Sequence, residues 1–251
     1  MSRNRNASFV LLWALAVATI ALFTRLGFWQ MDRAVEKQTM LDAAAQVLAD
    51  REVHSLSAAS DALRADAYDW AVGRGTFDAR PALLLDNQQR DGRVGVRAYR
   101  IFQPERGGLL LVDLGWLPLA GDRALPTVPR PEGSIELRGL LAPPPSTGIA
   151  LGPGLMRNGD GWLLTRVDMD AIARETGLSV PLAPRVLRLD PAMRLGYERD
   201  LELLANTLTP DKHRGYAVQW FGLALTVLAT AILLTFRSLR GRRASHRQGR
   251  P

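Results

Sequence analysis

Two stretches without charge decide most of what this 251-residue chain can become. Residues 6 to 24, between Arg5 and Arg25, hold 19 uncharged positions, and residues 215 to 236, between Arg214 and Arg237, hold 22. Their hearts read Phe9-Val10-Leu11-Leu12-Trp13-Ala14-Leu15 and Ala231-Ile232-Leu233-Leu234-Thr235-Phe236. At about 1.5 Å per residue, either run crosses a hydrocarbon layer of roughly 30 Å. The helix of a soluble core rarely runs this long without a charge on some face. The first run has the basic start of a secretory leader. The residues at its end, Leu22-Phe23-Thr24-Arg25-Leu26-Gly27, offer no small-x-small cleavage site, so it reads as an uncleaved anchor.

The formal charge of +7 sits almost wholly in the two tails. Arg3 and Arg5 lie before the first run, and Arg237, Arg240, Arg242, Arg243, Arg247 and Arg250 come after the second, with no acidic residue among them. Of 32 basic residues, 24 remain for the rest of the chain, against 25 acidic ones. A near-neutral middle with basic flanks argues against nucleic acid as a partner. Arginine beside a span stays on the cytoplasmic side. The expected layout is therefore a cytoplasmic tail at 1–8, a transmembrane helix at 9–27, an extracytoplasmic domain at 28–213, a second transmembrane helix at 214–236, and a basic cytoplasmic tail at 237–251. In a bacterium this places the domain in the periplasm and the anchors in the inner membrane.

Residues 25 to 48 carry Val35, Leu41, Ala44, Ala45 and Leu48 at helical spacing and extend the first span outward. Ser57 or Ser60 is placed to cap a short helix through Leu63. From Trp70 the texture becomes that of strands, near 70–78, 82–86, 94–103, 109–114, 134–141 and 185–190. Turn residues separate them, and Arg90-Asp91-Gly92-Arg93 suits a hairpin. Asp168 is placed to cap a helix that Gly177 ends, with Ile172 inward. The Pro-rich stretches 126–131 and 143–145 are loops. The fold class expected is integral membrane, with two transmembrane helices flanking an α+β, mostly β, extracytoplasmic domain, either a sandwich or a partly closed barrel.

Enzyme chemistry finds little support in the residues. The chain has no Cys, so thiolate nucleophiles and thiolate metal sites are excluded. It has no Gly-x-Ser-x-Gly, no phosphate-binding loop and no His-Glu-x-x-His. Gly152-Pro153-Gly154 is a turn in a Pro-rich loop. Of three histidines, His246 lies in the basic tail and His54 has no partner at metal-ligand spacing. The carboxylates Asp66 and Asp69 read as solvated surface. The chain is expected not to be an enzyme.

The informative residues cluster where the two spans leave the membrane. The first junction reads Leu26-Gly27-Phe28-Trp29-Gln30-Met31-Asp32-Arg33-Ala34-Val35-Glu36-Lys37, and the second His213-Arg214-Gly215-Tyr216-Ala217-Val218-Gln219-Trp220-Phe221. Trp29, Arg33 and Lys37 share one helix face, as do His213, Tyr216 or Ala217, and Trp220. Both junctions lie at the same membrane surface, where they can meet. Interfacial aromatics and snorkelling cations account for Trp29, Tyr216, Trp220, Arg33 and Lys37. They account less well for Gln30 and Gln219, because an amide at the hydrocarbon edge needs a partner on the opposite helix. His213 stands open between an ordinary interfacial histidine and an axial ligand to haem iron.

These two junctions, together with Val112-Asp113-Leu114-Gly115-Trp116-Leu117-Pro118, resemble the surfeit locus protein 1 family of cytochrome oxidase assembly factors, in a bacterial form. The resemblance covers nearly the whole chain, including its two-span layout. The chain departs from the family at Leu114, where Arg is frequent, and at Asp113, where Asn is common. The resemblance implies a chaperone of the respiratory chain that helps haem A reach the catalytic subunit of a haem–copper oxidase. Its implied partners are that subunit, haem A synthase and the lipid bilayer, with no nucleic acid. It implies His213 as the iron ligand, with Trp29, Gln30, Tyr216, Gln219 and Trp220 lining a transient haem A site and Arg33, Arg25 or Arg214 meeting propionates. The alternative is a membrane-anchored scaffold that binds oxidase subunits without touching haem. A two-anchor sensor is disfavoured because the 15 residues after Phe236 are too few for a signalling domain.

The arginine distribution yields a direct test. Reporters fused to either end of the chain should be active in the cytoplasm, and a reporter inserted between 28 and 213 should be active outside it. Periplasmic activity from either end overturns the orientation.

Overall fold

With no proline between Ser2 and Asp50, the N-terminal segment forms one helix, α1 (Ser2–Asp50). The computed structural model describes residues 2–121, 124–145, 152–159, 161–204 and 207–248, with side chains between residues 9 and 240. Helix α1 stops at Arg51, whose backbone takes a left-handed φ of 46° and donates to the Val47 carbonyl at 2.8 Å, a one-residue cap. The last helix, α3 (Pro210–Gln248), opens with proline at its first position, where the missing N–H costs nothing. The apolar windows of the two helices have mean hydropathy 2.1 and 2.0, and 0% and 11% of those windows is buried. Both are long and apolar enough to cross a membrane, and neither is wrapped in the manner of a soluble core helix.

The chain divides into two compact units, Met1–Met40 with Leu208–Pro251, and Leu41–Thr207. In the first unit the less exposed positions of α1 include Trp13, Ala16, Ile20, Phe23, Gly27, Gln30 and Ala34, and those of α3 include His213, Ala217, Trp220, Ala224, Val227, Ala231 and Thr235. Steps of three and four residues are the signature of a shallow-angle helix pair. The partners run antiparallel. Trp13 Nε1 donates to Thr235 Oγ1 at 3.0 Å, Phe23 packs on Trp220 at 5.4 Å, and Phe28 meets Phe221 edge-on at 5.3 Å.

The second unit is built on nine strands: β1 (Val53–Ser55), β2 (Asp69–Phe77), β3 (Leu83–Arg90), β4 (Arg93–Pro104), β5 (Leu109–Pro118), β6 (Ile135–Ala142), β7 (Leu155–Asn158), β8 (Gly161–Leu164) and β9 (Leu182–Leu189). They form one sheet in the order β1-β2-β6-β9-β5-β4-β3-β8-β7. The sheet is continuous, so it is not a sandwich of two. It curls until β2 also pairs with β4 from Gly75 to Phe77, without making a closed barrel. The inner face holds a core around Phe77, Val96, Phe102, Leu110, Leu137 and Leu187. The opposite face of β3, β4, β5 and β9 packs Tyr99, Ile101 and Leu111 beneath helix α2 (Met169–Glu175), with Ile172 fully buried. A third cluster joins Ala44, Val47 and Leu48 of α1 to Tyr68 and Leu140.

All six expected strands are present, several of them longer than read. Strands β1, β7 and β8, of three or four residues each, had too little alternation to show. The Asp91-Gly92 hairpin is present, with φ of 49° and 73° at its centre. Asp168 caps α2 by accepting from the Ala171 amide at 2.9 Å. The segment at 56–64 differs from the reading. It forms two short 3-10 turns, capped by Ser55 and Asp61 rather than by Ser57 or Ser60, because Asp61 accepts from the Leu63 amide and restarts the turn.

Asp66 is exposed as expected, but Asp69 is not surface at all. It is 4% exposed and sits between Arg185 Nη1 and Arg64 Nη2, both at 2.5 Å, with His54 Nε2 at 3.8 Å. Arg185 is fully buried and also donates to the carbonyls of Ala58 and Ala67. Asp69 thus staples β2, β9 and the 3-10 turn together. Burial pushes its carboxyl up, but the hydrogen bonds and charges of Arg185 and Arg64 outweigh this and hold it below the ordinary carboxylate range.

A group depressed in this way contributes stability that is complete above the unfolded value, about 4, and is lost as pH falls through the lower folded value. Asp69→Asn leaves Arg185 buried without its counter-charge and should cost about 3–5 kcal/mol at neutral pH. The acid-induced loss of stability, read from denaturant unfolding of the full chain in detergent, should shrink in the variant. An unchanged pH slope refutes the role of Asp69.

Candidate functional site

The seam is mostly apolar or small, and beside the Trp13–Thr235 bond at one end it carries a second polar contact at the other. Gln30 of α1 and His213 of α3 meet across the seam, with His213 Nδ1 2.6 Å from Gln30 Oε1. His213 is 8% exposed and Gln30 half-buried. The seam allows this approach because Gly27 lies one turn before Gln30, where an added Cβ would fall 2.5 Å from the Phe221 ring. Ala217 lies one turn after His213 and is itself buried. Small residues let two helix backbones come close enough for side chains as short as these to bond.

With the amide oxygen of Gln30 facing it, the neutral imidazole has one arrangement of its proton. An amide oxygen only accepts, so Nδ1 carries the proton and donates. The lone pair then belongs to Nε2, the nitrogen through which imidazole binds metals when a neighbour fixes the other ring position. A single imidazole nitrogen with its lone pair available is the kind of donor that an iron porphyrin takes. No group of three or more His, Asp or Glu side chains arranged to hold a metal occurs among the described residues.

The other expected residues split into two groups. Trp220 is on the seam, half-buried against Phe23. Trp29 and Tyr216 are 48% and 42% exposed and Gln219 is exposed, all off the seam. Arg33 is also outward, held by Glu36 at 2.7 Å, and Arg214 is held by Asp211 at 2.8 Å. These are exposed local pairs that contribute little. Arg25 is exposed. The expectation that Gln30 bonds the opposite helix describes its contact with His213. Gln219 turns outward, because it precedes the seam residue Trp220 by one position, a rotation of about 100°. Trp29 and Arg33 are likewise out of phase with the contact stripe, whereas Lys37 on the same face is half-buried. Gly27, Phe23, Phe28 and Phe221 went unread as seam residues, although the small residues Gly27, Ala217, Ala224 and Ala231 carried the signal.

The middle motif serves the sheet. Asp113 is buried with Arg97 at 2.7 Å and Arg188 at 3.7 Å, and accepts from the Gly115 amide at 3.0 Å. Burial alone would lower the Arg97 guanidinium, but Asp113 raises it above its usual value. Burial and the Asp113 charge push the Tyr99 hydroxyl well up, so it stays neutral. Gly115 has φ of 112°, and a Cβ there would lie 2.8 Å from the Glu198 carbonyl oxygen. The Trp116 amide donates to that carbonyl at 2.7 Å, its indole donates to Gln88 O at 3.2 Å, and Leu114 is core.

Compared with known families, residues 17–225 match the model described as the SURF1 family. No curated protein matches the chain.

The seam bond is measurable by itself. A double-mutant cycle with Gln30→Leu and His213→Leu, read by unfolding of the full chain in detergent, should give a coupling of about 1 kcal/mol. A coupling near zero means that the two side chains do not act together.

Proposed function

The chain belongs to the SURF1 family, a cytochrome oxidase assembly family, and on that footing we propose that it is a membrane-anchored assembly factor that helps haem A reach the catalytic subunit of a haem–copper oxidase. Helices α1 and α3 cross the inner membrane, both tails stay in the cytoplasm, and residues 28–213 work in the periplasm. What supports the anchoring is the length, hydropathy and exposure of the two apolar helices, together with the arginines at one end of the pair.

The single observation behind the haem reading is the Gln30–His213 bond, which leaves His213 Nε2 with the lone pair. Haem A, when bound, supplies an iron that accepts one imidazole and a broad apolar ring with two propionates. Gln30 orients the imidazole. Exposed Trp29 and Tyr216 offer aromatic cover, and Gln219, Arg25 and Arg33 offer polar contacts at the headgroup level. The protein carries and positions the group rather than transforming it. The partners in this reading are the catalytic subunit and haem A synthase. The burial of His213 favours a second reading, in which Gln30 and His213 only clasp the helices and the outward aromatics dock oxidase subunits.

Deletion of the gene should lower haem A-containing oxidase activity, and normal activity refutes the assembly role. In protein purified from cells that make haem A, His213→Ala should lose bound haem. Gln30→Ala, which breaks the same clasp but keeps the imidazole, should retain part of it. Equal haem in wild type and His213→Ala removes His213 from the iron and leaves the scaffold reading.

A further inference from the structure

Helix α3 does not end where its apolar run ends. It continues through Gln248, twelve residues past Phe236, a length of about 18 Å. That extension carries Arg237, Arg240, Arg242, Arg243 and Arg247, and Arg250 lies just beyond it. Arg237, Arg240, Arg243 and Arg247 recur in steps of three, three and four, the register of one helix face. Because α3 runs antiparallel to α1, with Trp13 bonded to Thr235, the first turns of α1 lie at this same end and add Arg3 and Arg5. The first acidic residue of the chain is Asp32 and the last is Asp211, so neither helix offers this end a carboxylate.

Such a concentration of guanidinium groups without internal counter-charge needs an external anion. We propose that this end of the helix pair is a binding surface for anionic phospholipid headgroups of the leaflet it adjoins, so that the pair collects an annulus of acidic lipid. The inference rests on the transmembrane reading of α1 and α3 and goes beyond it, since a few charges suffice to set orientation. Guanidinium groups bind phosphodiesters through paired hydrogen bonds; Arg237 and Arg240 follow within about 6 Å of the end of the apolar run, at the depth of the phosphates, and Arg243 and Arg247 continue the same helix over about the next 10 Å. Clusters of four to eight basic residues in that position are what acidic lipid recognises, each worth roughly fivefold in partitioning. A nucleic-acid strand fits less well. No Phe, Tyr or Trp lies between Arg237 and Pro251 to give a base a broad stacking face.

The test uses the full chain in mild detergent, incubated with an equimolar mixture of phosphatidylglycerol and phosphatidylcholine, with retained lipids counted by native mass spectrometry. Wild type should favour phosphatidylglycerol by about tenfold or more, and salt at about 0.5 M should abolish the preference. The triple variant R240Q/R243Q/R247Q keeps Arg237 and Arg242 beside the span, leaves the seam untouched, and should cut the preference by about fivefold or more. Equal retention of the two lipids by wild type, or an undiminished preference in the variant, overturns the proposal. So does displacement of the acidic lipid by a short oligonucleotide at lower concentration, which would reassign the surface to nucleic acid. Alkaline carbonate extraction of native membranes separates the premises. Release of the chain there removes the anchoring itself, whereas retention with no lipid preference removes only the headgroup surface.

Discussion

A hydrogen bond between an amide and an imidazole, set between two greasy helices, governs how the first unit is arranged. His213 is almost wholly buried and Gln30 half-buried, so breaking the bond leaves a buried imidazole without its partner. The Gln30–His213 contact therefore fixes the register of α1 against α3 in a way that leucine–alanine packing does not. Sliding either helix by one residue turns one partner about 100° away. The Trp13–Thr235 contact does the same at the other end of the seam. The pair is held at both ends by polar contacts and along its length by small residues, and the imidazole that holds one end is also the group able to serve as a metal ligand.

The sheet domain uses charge in a related way. Asp69, Asp113 and Asp190 are all nearly inaccessible, and each is met by at least one arginine of another strand. Buried pairs of this kind add little net stability over apolar packing, but they make alternative registers costly, since a shift by one residue strands a charge in the core. A strongly curled sheet whose β2 reaches across to β4 has several possible registers, and the ion pairs select one. Gly115 and the Asp113 hydrogen bond to its amide belong to this arrangement. They pin β5 to the 196–200 segment, which accounts for the middle motif without any ligand.

The apolar stretches of the two helices were legible because nothing charged interrupts them, and the six long strands because apolar or alternating runs sit between turn residues. The three shortest strands carry no such signal. Asp69 was misread because its principal partner, Arg185, is 116 residues away and no local pattern announces it. At the helix pair the periodicity was visible and its phase was not. Aromatics and cations mark the outward face, whereas the face toward the other helix is marked by glycine and alanine. Reading the conspicuous side chains therefore selected Trp29 and Arg33, while the contact runs through Gly27 and Gln30. Whether iron meets His213 was not legible, since an imidazole that clasps a helix and one that binds haem have the same spacing.

The absent side chain at position 27 has a consequence of its own. The Phe221 ring occupies the space where a Cβ would be, and that same ring rests edge-on against Phe28. Any bulk introduced there wedges the rods apart beside their amide–imidazole latch. The missing methyl thus works as a tolerance gauge: the latch closes only while the gap beneath it stays narrower than a single carbon.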